Sequence, residues 1–277
     1  MRDPFIITEP TCISFSGGRT SAYLLWRVLQ SNNGLPEDAI VCFANTGKEE
    51  EATLEFVRDC GLNWGVKIHW VEYTDAENTK DRFKVVDFET ASRNGEPFEQ
   101  LIIKKKYLPN PVTRFCTIEL KIRAIHRYLK SIGWSKHNET QDWMGIRADE
   151  MRRAAKVDRS RVPLVTAGIT AGDVGQFWKE HSFDLKLSNI GGKTLHGNCD
   201  LCFLKGGNII LSLIAEKPER AVWWAKMETM VQSSKLAIGD GGRFRNDRPS
   251  YASMAKFTDE QAKLFTDEES IACFCGD

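Results

Sequence analysis

The stretch Thr11-Cys12-Ile13-Ser14-Phe15-Ser16-Gly17-Gly18-Arg19-Thr20-Ser21 decides the fold. Thr11 to Phe15 reads as a short apolar strand and a Gly-rich turn follows. Ser21 to Gln30 then reads as a helix, with Leu24, Leu25, Val28 and Leu29 on one side, ended by Asn32-Asn33-Gly34. Adjacent glycines let backbone come close to an anion without a Cβ in the way. The amides of Gly17, Gly18 and Arg19 are expected to point inward at a helix N-terminus, where the partial charge favours phosphate. Ser16, Thr20 and Ser21 would add hydroxyls, and Arg19 a forked cation.

Working outward, the continuous apolar run Ala39 to Ala44 suits a strand covered on both faces. Glu50 to Cys60 reads as a helix closed by Gly61, and Lys67 to Tyr73 as an alternating strand. The order β-α-β-α-β predicts an α/β fold with a doubly wound, mostly parallel sheet, Rossmann-like in its binding rule: ligands sit beyond the carboxyl ends of the strands. Both polar turns, Ser16 to Ser21 and Asn45-Thr46-Gly47, fall at those ends. Residues 75–112 read as a long loop or lid. Ile118, Ile122, Ile125 and Leu129 recur at helical spacing. Gln141 to Ile146 reads as a strand, Arg147 to Arg161 as a charged loop, and Thr170 to His181 and Pro218 to Val231 as helices. The division expected is a nucleotide-binding core over 1–165 and a helical, Cys-containing region over 166–277.

Of the 277 residues, 42% are hydrophobic and 27% charged, enough apolar content for a real core and too much for disorder. The formal net charge is zero, so a nucleic-acid partner would have to be held by local basic patches. These are Lys104-Lys105-Lys106, the run Arg152, Arg153, Lys156, Arg159 and Arg161, or Arg243, Arg245 and Arg248; a solvated face is the plainer reading of each. No apolar stretch approaches the roughly 20 residues that span a bilayer. With no signal-peptide core at Met1-Arg2-Asp3-Pro4, the expectation is a soluble, cytoplasmic protein without a membrane partner. Nothing in the sequence decides self-association.

The segment Ile13 to Ser21 resembles the PP-loop of the adenine nucleotide alpha-hydrolase superfamily. More closely, the chain resembles phosphoadenosine phosphosulfate (PAPS) reductase-like proteins. Phe43-Ala44-Asn45-Thr46-Gly47-Lys48-Glu49 looks like their second-strand motif, Arg114-Phe115-Cys116-Thr117 with Lys121 is similar to their Arg/Cys…Lys segment, and Gly145-Ile146-Arg147-Ala148-Asp149-Glu150 to their Gly-x-Arg-x-(Asp/Glu) loop. The resemblance implies that Ser16 to Ser21, Asn45, Thr46, Gly47, Lys48, Arg114, Gly145 and Arg147 hold ATP, PAPS or another adenine nucleotide, with room for Mg. It also implies catalytic roles for Arg19, Lys121, Arg147 and Cys116. Two departures stand out. Arg19 and Thr20 replace the usual Lys and Asp of Ser-Gly-Gly-Lys-Asp-Ser, and the tail lacks the Glu-Cys-Gly-(Ile/Leu)-His nucleophile motif. The reaction then expected is ATP cleavage between the α and β phosphates, adenylation of an acceptor and sulfur transfer. Thiol-dependent reduction of a sulfonucleotide to sulfite, with a thioredoxin-like reductant, is the alternative, and a non-catalytic nucleotide or nucleic-acid-binding module the third.

Eight cysteines in a reducing compartment point to metal or redox chemistry. Cys12, Cys42 and Cys60 read as core thiols. Cys199-Asp200-Leu201-Cys202 and Cys273-Phe274-Cys275 form two close pairs. Bringing them together closes a loop at roughly 4 kcal/mol, against about 10 kcal/mol from a thiolate metal site. The readings are a 4Fe–4S cluster, zinc on the same four ligands, or a redox dithiol. His196 lies three residues before Cys199 and could support such a site.

Overall fold

The computed structural model of the protein describes residues 3–134, 141–190, 193–233 and 242–266. The chain forms two compact units, one of residues 1–104 and 114–200, the other of 105–113 and 201–277. The sequence division after residue 165 is thus not where the units part.

In the first unit β1 (Thr11–Phe15) leads into α1 (Arg19–Asn32), β2 (Ala39–Asn45), α2 (Glu51–Trp64) and β3 (Ile68–Glu72). β4 (Lys84–Val86), α3 (Glu96–Lys105), a π-helical stretch (Thr117–Arg123), α4 (Ala124–Ser131) and β5 (Gln141–Met144) follow. The unit ends with the short α5 (Met151–Ala154) and α6 (Pro163–Thr166), α7 (Ala171–Glu180) and the two-residue strands β6 (Asn189–Ile190) and β7 (Lys193–Thr194). The main sheet has the order β4-β3-β2-β1-β5, parallel except for the edge strand β4. The chain runs outward from β1 through β2 and β3, then returns to lay β5 on the other flank of β1. The switch point of the topology therefore lies between the carboxyl ends of β1 and β5, where open α/β sheets bind ligands.

Alternation along the strands sorts the two faces. Ile13, Phe15, Val41 and Phe43 pack with Leu24, Leu25 and Val28 of α1, Leu54 and Val57 of α2, and Val174 and Trp178 of α7. Cys12, Ile40, Cys42 and Ala44 pack with Ala124, Ile125, Tyr128 and Leu129 of α4. Cys12, Cys42 and Cys60 are buried thiols, as their apolar neighbours suggested. The α/β, mostly parallel expectation holds.

Several boundaries differ, each for a local reason. Gly61 does not close α2. Its missing side chain lets the helix pass Val66 O, which an added Cβ would meet at 3.1 Å, and α2 runs one turn further to Gly65 at φ +62°. Residues 75–112 are not one loop, because Phe98, Leu101 and Ile102 bury one side of α3. The region 147–161 holds α5 and a 3-10 turn at Arg159–Arg161. The apolar spacing from Ile118 to Leu129 does not make one buried stripe. In a π-helix the bonds run i to i+5, so the turn is wider than 3.6 residues and the phase slips. Glu119 and Leu120 turn inward, while Ile118 and Ile122 stay 45% and 46% exposed. The buried Glu119 carboxylate accepts from Arg123 Nη1 at 2.6 Å and Arg127 Nη2 at 3.2 Å.

The second unit is helical: α8 (Gly207–Glu216), α9 (Arg220–Ser233) and α10 (Tyr251–Thr266). Its core is aromatic, with Trp224 stacked on Tyr251 at 5.2 Å and Phe203 on Phe244 at 5.7 Å. Glu228 is buried there and accepts the Tyr251 N–H at 2.9 Å, at the start of α10, and the Phe244 N–H at 3.4 Å. Burial pushes its carboxyl above the ordinary glutamate value despite those two donors.

Candidate functional site

A cavity of about 580 Å³ opens at the switch point. Ser16 to Thr20 line it from the end of β1, Gly145, Arg147, Asp149 and Glu150 from the end of β5, and Glu49 and Thr53 from the β2–α2 junction. The volume is in the range of small-molecule sites.

The loop is shaped from within. Gly17 has φ +74°, and an added Cβ would sit 2.6 Å from Thr53 Cγ2. The Ser21 hydroxyl accepts the N–H of Ser16 at 3.2 Å and of Gly18 at 3.3 Å and donates to Gly18 O at 2.9 Å. Ser21 is thus a brace under the loop rather than a face of the cavity, and two loop amides are turned onto it. The first helical backbone bond of α1 is Ala22 N–H to Gly18 O, 3.0 Å. The amides of Arg19 and Thr20, before it, are those a helix start leaves without intrahelical acceptors.

Register explains why the two loops meet. Ser14 pairs with Met144, so the strands end within one residue of each other. A Cβ on Gly145 would lie 2.9 Å from Ser21 Cα and 3.0 Å from Ser21 N, so this glycine lets the β5 loop lie directly on the first turn of α1. Arg147 spans the join. Its Nη1 donates to Thr20 Oγ1 at 3.1 Å, and its Nε and Nη2 fork onto Asp149 at 2.9 and 3.0 Å. That fork holds the guanidinium above its ordinary pKa and Asp149 below the usual carboxylate range.

Arg19 goes elsewhere than a free phosphate ligand would. Its Nε and Nη2 fork onto Asp184 at 2.7 and 2.8 Å, Nη2 also donates to Leu185 O at 2.5 Å and Leu187 O at 3.1 Å, and Nη1 to Thr194 Oγ1 at 3.3 Å. Trp178 Nε1 of α7 donates to Arg19 O at 3.0 Å. Arg19 therefore clasps a segment more than 160 residues away onto the loop, and its charge is already matched by Asp184.

The second-strand motif is folded on itself. Asn45 is fully buried, donating to Glu72 Oε1 at 2.6 Å and Ser92 O at 2.8 Å and accepting from Gly47 N–H at 3.1 Å. Gly47, at φ +76°, lies against Gly95, whose N would be 3.0 Å from an added Cβ. Glu49 accepts from Thr46 N–H at 2.9 Å, Thr46 Oγ1 at 2.8 Å and Lys48 N–H at 3.3 Å, with Lys121 Nζ at 3.6 Å. Lys48 Nζ forms a buried ion pair with Asp200 Oδ2 at 2.9 Å. Of this motif Glu49 faces the cavity, and Lys121 approaches through it.

Cys199 pairs with Glu49 in an isolated antiparallel bridge, and its Sγ lies 3.5 Å from Thr46 Oγ1. Cys116 is half-buried at the start of the π-helical stretch, five residues before Lys121, and Arg114 is exposed. Cys202 is half-buried, and Cys273 and Cys275 lie outside the described residues. His196 is buried, its Nδ1 3.4 Å from Ser188 Oγ. Among the described residues no three His, Cys, Asp or Glu side chains converge as a metal site. The expected four-thiol set is therefore present here only through Cys199 and Cys202.

Of the basic patches, Arg152, Lys156 and Arg159 are exposed, Arg153 pairs with Glu150, and Arg161 with Asp142. Arg248 is a structural clasp, donating to Lys205 O at 2.9 Å and Phe203 O at 3.0 Å, and Arg245 pairs with Asp247. Gly175 is a lining residue that the sequence reading missed. It sits within α7 on the cavity wall, with nothing within 4 Å of an added Cβ. A glycine in mid-helix was the available signal.

The fold and cavity define an α/β protein with a Gly-rich strand–loop–helix corner at its switch point. No family model matches the chain. It is similar to an uncharacterized nin region protein, ORF290, of Escherichia phage lambda, 30% identical over 199 residues that cover 70% of this chain and 65% of that protein. It is also similar to an uncharacterized 37.8 kDa protein in the gpa 5′ region of Escherichia phage 186, 26% identical over 162 residues, 50% of this chain and 47% of that one. The chain thus spans less than two thirds of the length of either relative. No helix among the described residues is long and apolar enough to cross a membrane.

Proposed function

We propose that the chain is a PP-loop enzyme of the PAPS reductase-like kind, binding an adenine nucleotide with its phosphates on the loop Ser16 to Thr20 and using it for sulfur chemistry. The observation that carries this reading is the cavity of about 580 Å³ at the β1/β5 switch point, floored by that loop and faced by Arg147. The amides of Arg19 and Thr20 and the dipole of the 14-residue α1 supply the anion-binding end.

In the reaction proposed, an acceptor oxygen attacks the α-phosphorus of ATP. The bond from that phosphorus to the bridging oxygen breaks, and pyrophosphate leaves. Hydrosulfide then attacks the activated carbon, the carbon–sulfur bond forms as the carbon–oxygen bond breaks, and AMP departs with the acceptor oxygen. In this reading Arg147 meets charge developing on the phosphates, released in part from Asp149 as it does so. Lys121, whose Nζ lies 3.6 Å from Glu49 of the cavity lining, is the further cation in this reading. A cluster or zinc on Cys199, Cys202, Cys273 and Cys275 would supply a sulfur-holding or structural centre.

The test is calorimetric titration with ATP, AMP and PAPS, followed by incubation with ATP or with PAPS and thiol, assaying pyrophosphate, AMP and sulfite. Binding of ATP with pyrophosphate release supports adenylation; sulfite from PAPS supports the reductive alternative. Gly175→Trp fills the cavity from a position with free space. It is expected to abolish nucleotide binding without lowering the melting temperature. No nucleotide binding by the parent protein, or full binding by Gly175→Trp, refutes the proposal.

A further inference from the structure

The first unit has a second cavity, of about 510 Å³, at the other end of α1. Trp26 and Trp64 line it, together with the C-terminal turns of α1 and α2 at Asn33 and Gly65. Both helices are 14 residues long and both end in the left-handed conformation, at φ 55° and 62°. Each brings the negative end of its dipole to the same cleft. A basic residue in the last turn ordinarily compensates that end, and neither helix has one there. Arg27, next to Trp26, lies over the Phe5 ring at 4.2 Å.

The indoles are held firmly. Trp26 packs on Phe177 at 4.6 Å, and Trp64 on Phe183 at 5.6 Å and His181 at 5.8 Å. Burial lowers the pKa of His181, which disfavours an imidazolium beside Trp64. Two indoles, the best cation–π partners, beside two helix C-termini with no basic residue in the last turn suit one ligand chemistry. An anion would meet the carbonyl ends, and a neutral ring would gain nothing from them.

We infer that the cleft between the C-terminal ends of α1 and α2 binds an organic monocation, an alkylated ammonium or a guanidinium, against Trp26 and Trp64. The site is independent of the nucleotide reading, since α1 separates the two cavities by about 20 Å of helix. Its cation comes either from a small molecule or from a Lys or Arg side chain of a partner chain.

The experiment is a calorimetric or NMR titration of the full chain with choline, with its neutral isostere 3,3-dimethylbutan-1-ol, and with N-acetyl-arginine methylamide. The isostere should bind about ten-fold more weakly than choline, a difference of about 1.4 kcal/mol. Binding of the arginine derivative with none of choline identifies a side-chain ligand; choline binding identifies a free cation. Trp64→Leu should weaken the cation at least about five-fold. Gln30→Lys, at an exposed position in the last turn of α1, supplies an internal ammonium without touching an indole and should weaken it similarly while leaving nucleotide affinity unchanged. Equal binding of choline and its isostere, no binding of either cation, or unaltered cation affinity in folded Gln30→Lys overturns the inference.

Discussion

Gly145→Ala offers a sharp test of how the two loops build the site. An added Cβ would lie 2.9 Å from Ser21 Cα, 3.0 Å from Ser21 N and 3.2 Å from Thr20 C. All three are backbone atoms of the first turn of α1, so no side chain can rotate away. Carbon atoms attract near 3.5 Å, so the nearest contact is about 0.6 Å too close. Overpacking of this kind costs about 1–3 kcal/mol. Spread over a unit of this size, that lowers the melting temperature by about 2–12 °C. Relief comes by lifting the β5 loop off α1, which stretches the 3.1 Å bond from Arg147 to Thr20 and moves the Arg147 charge from the Gly-rich loop. Thermal unfolding and ATP titration should therefore both respond, with affinity falling about ten-fold or more if about 1.4 kcal/mol of Arg147 contact is lost. Gly175→Ala is the internal control. It lines the same cavity with free space around the new methyl, and should stabilise α7 by about 0.5–1 kcal/mol. A Gly145→Ala protein as stable as the parent would refute the packing argument. One destabilised but binding ATP normally would refute the role given to the join.

Arg19→Lys restores the residue usual in the resembled loop, yet it should destabilise the chain by about 1–3 kcal/mol in chemical denaturation. A lysine cannot reach Asp184, two carbonyls and Thr194 together; equal stability would show the clasp to be idle. Asp149→Asn removes the charged partner of Arg147 and should raise pyrophosphate affinity about two- to ten-fold by titration. Weaker binding would show that Asp149 positions Arg147 rather than competing for it. Glu228 has a raised folded pKa, so protonation favours the fold: its contribution is fullest below the unfolded value and declines as pH rises through the folded one. The melting temperature of Glu228→Gln relative to the parent should therefore climb between pH 4 and 7. A constant difference would mean the carboxyl titrates alike in both states.

Much of the frame was legible because its signals are local. The apolar run at β2, the brief strand before Gly17 and the helical spacing of Leu24, Leu25 and Val28 need only the residue-to-residue period of strand and helix. The capping box of α7, where Asp173 accepts the Thr170 N–H at 2.7 Å, is a local signal of the same kind that the sequence reading did not use. What escaped was phase and partnership. Gly61 looked like a helix end because a helix interior rarely keeps a glycine, but Val66 O packs against its bare Cα. Ile118 and Ile122 fit a 3.6-residue stripe that the π-helical stretch does not follow. The candidate site was legible as two loops at strand ends, while the roles of Arg19, Asn45 and Lys48 were not.

From the sequence alone came the element order, the parallel sheet and the position of the Gly-rich corner beyond a strand end, since these follow from periods and glycine content within a few residues. Tertiary structure alone decided which charges face the cavity. Arg19 turns to Asp184, Lys48 to Asp200 and Arg147 to Thr20, partners separated by 127 to 165 residues or chosen among many carboxylates. A cation's partner depends on which acceptor the folded backbone brings within about 3 Å, and no local pattern carries that distance.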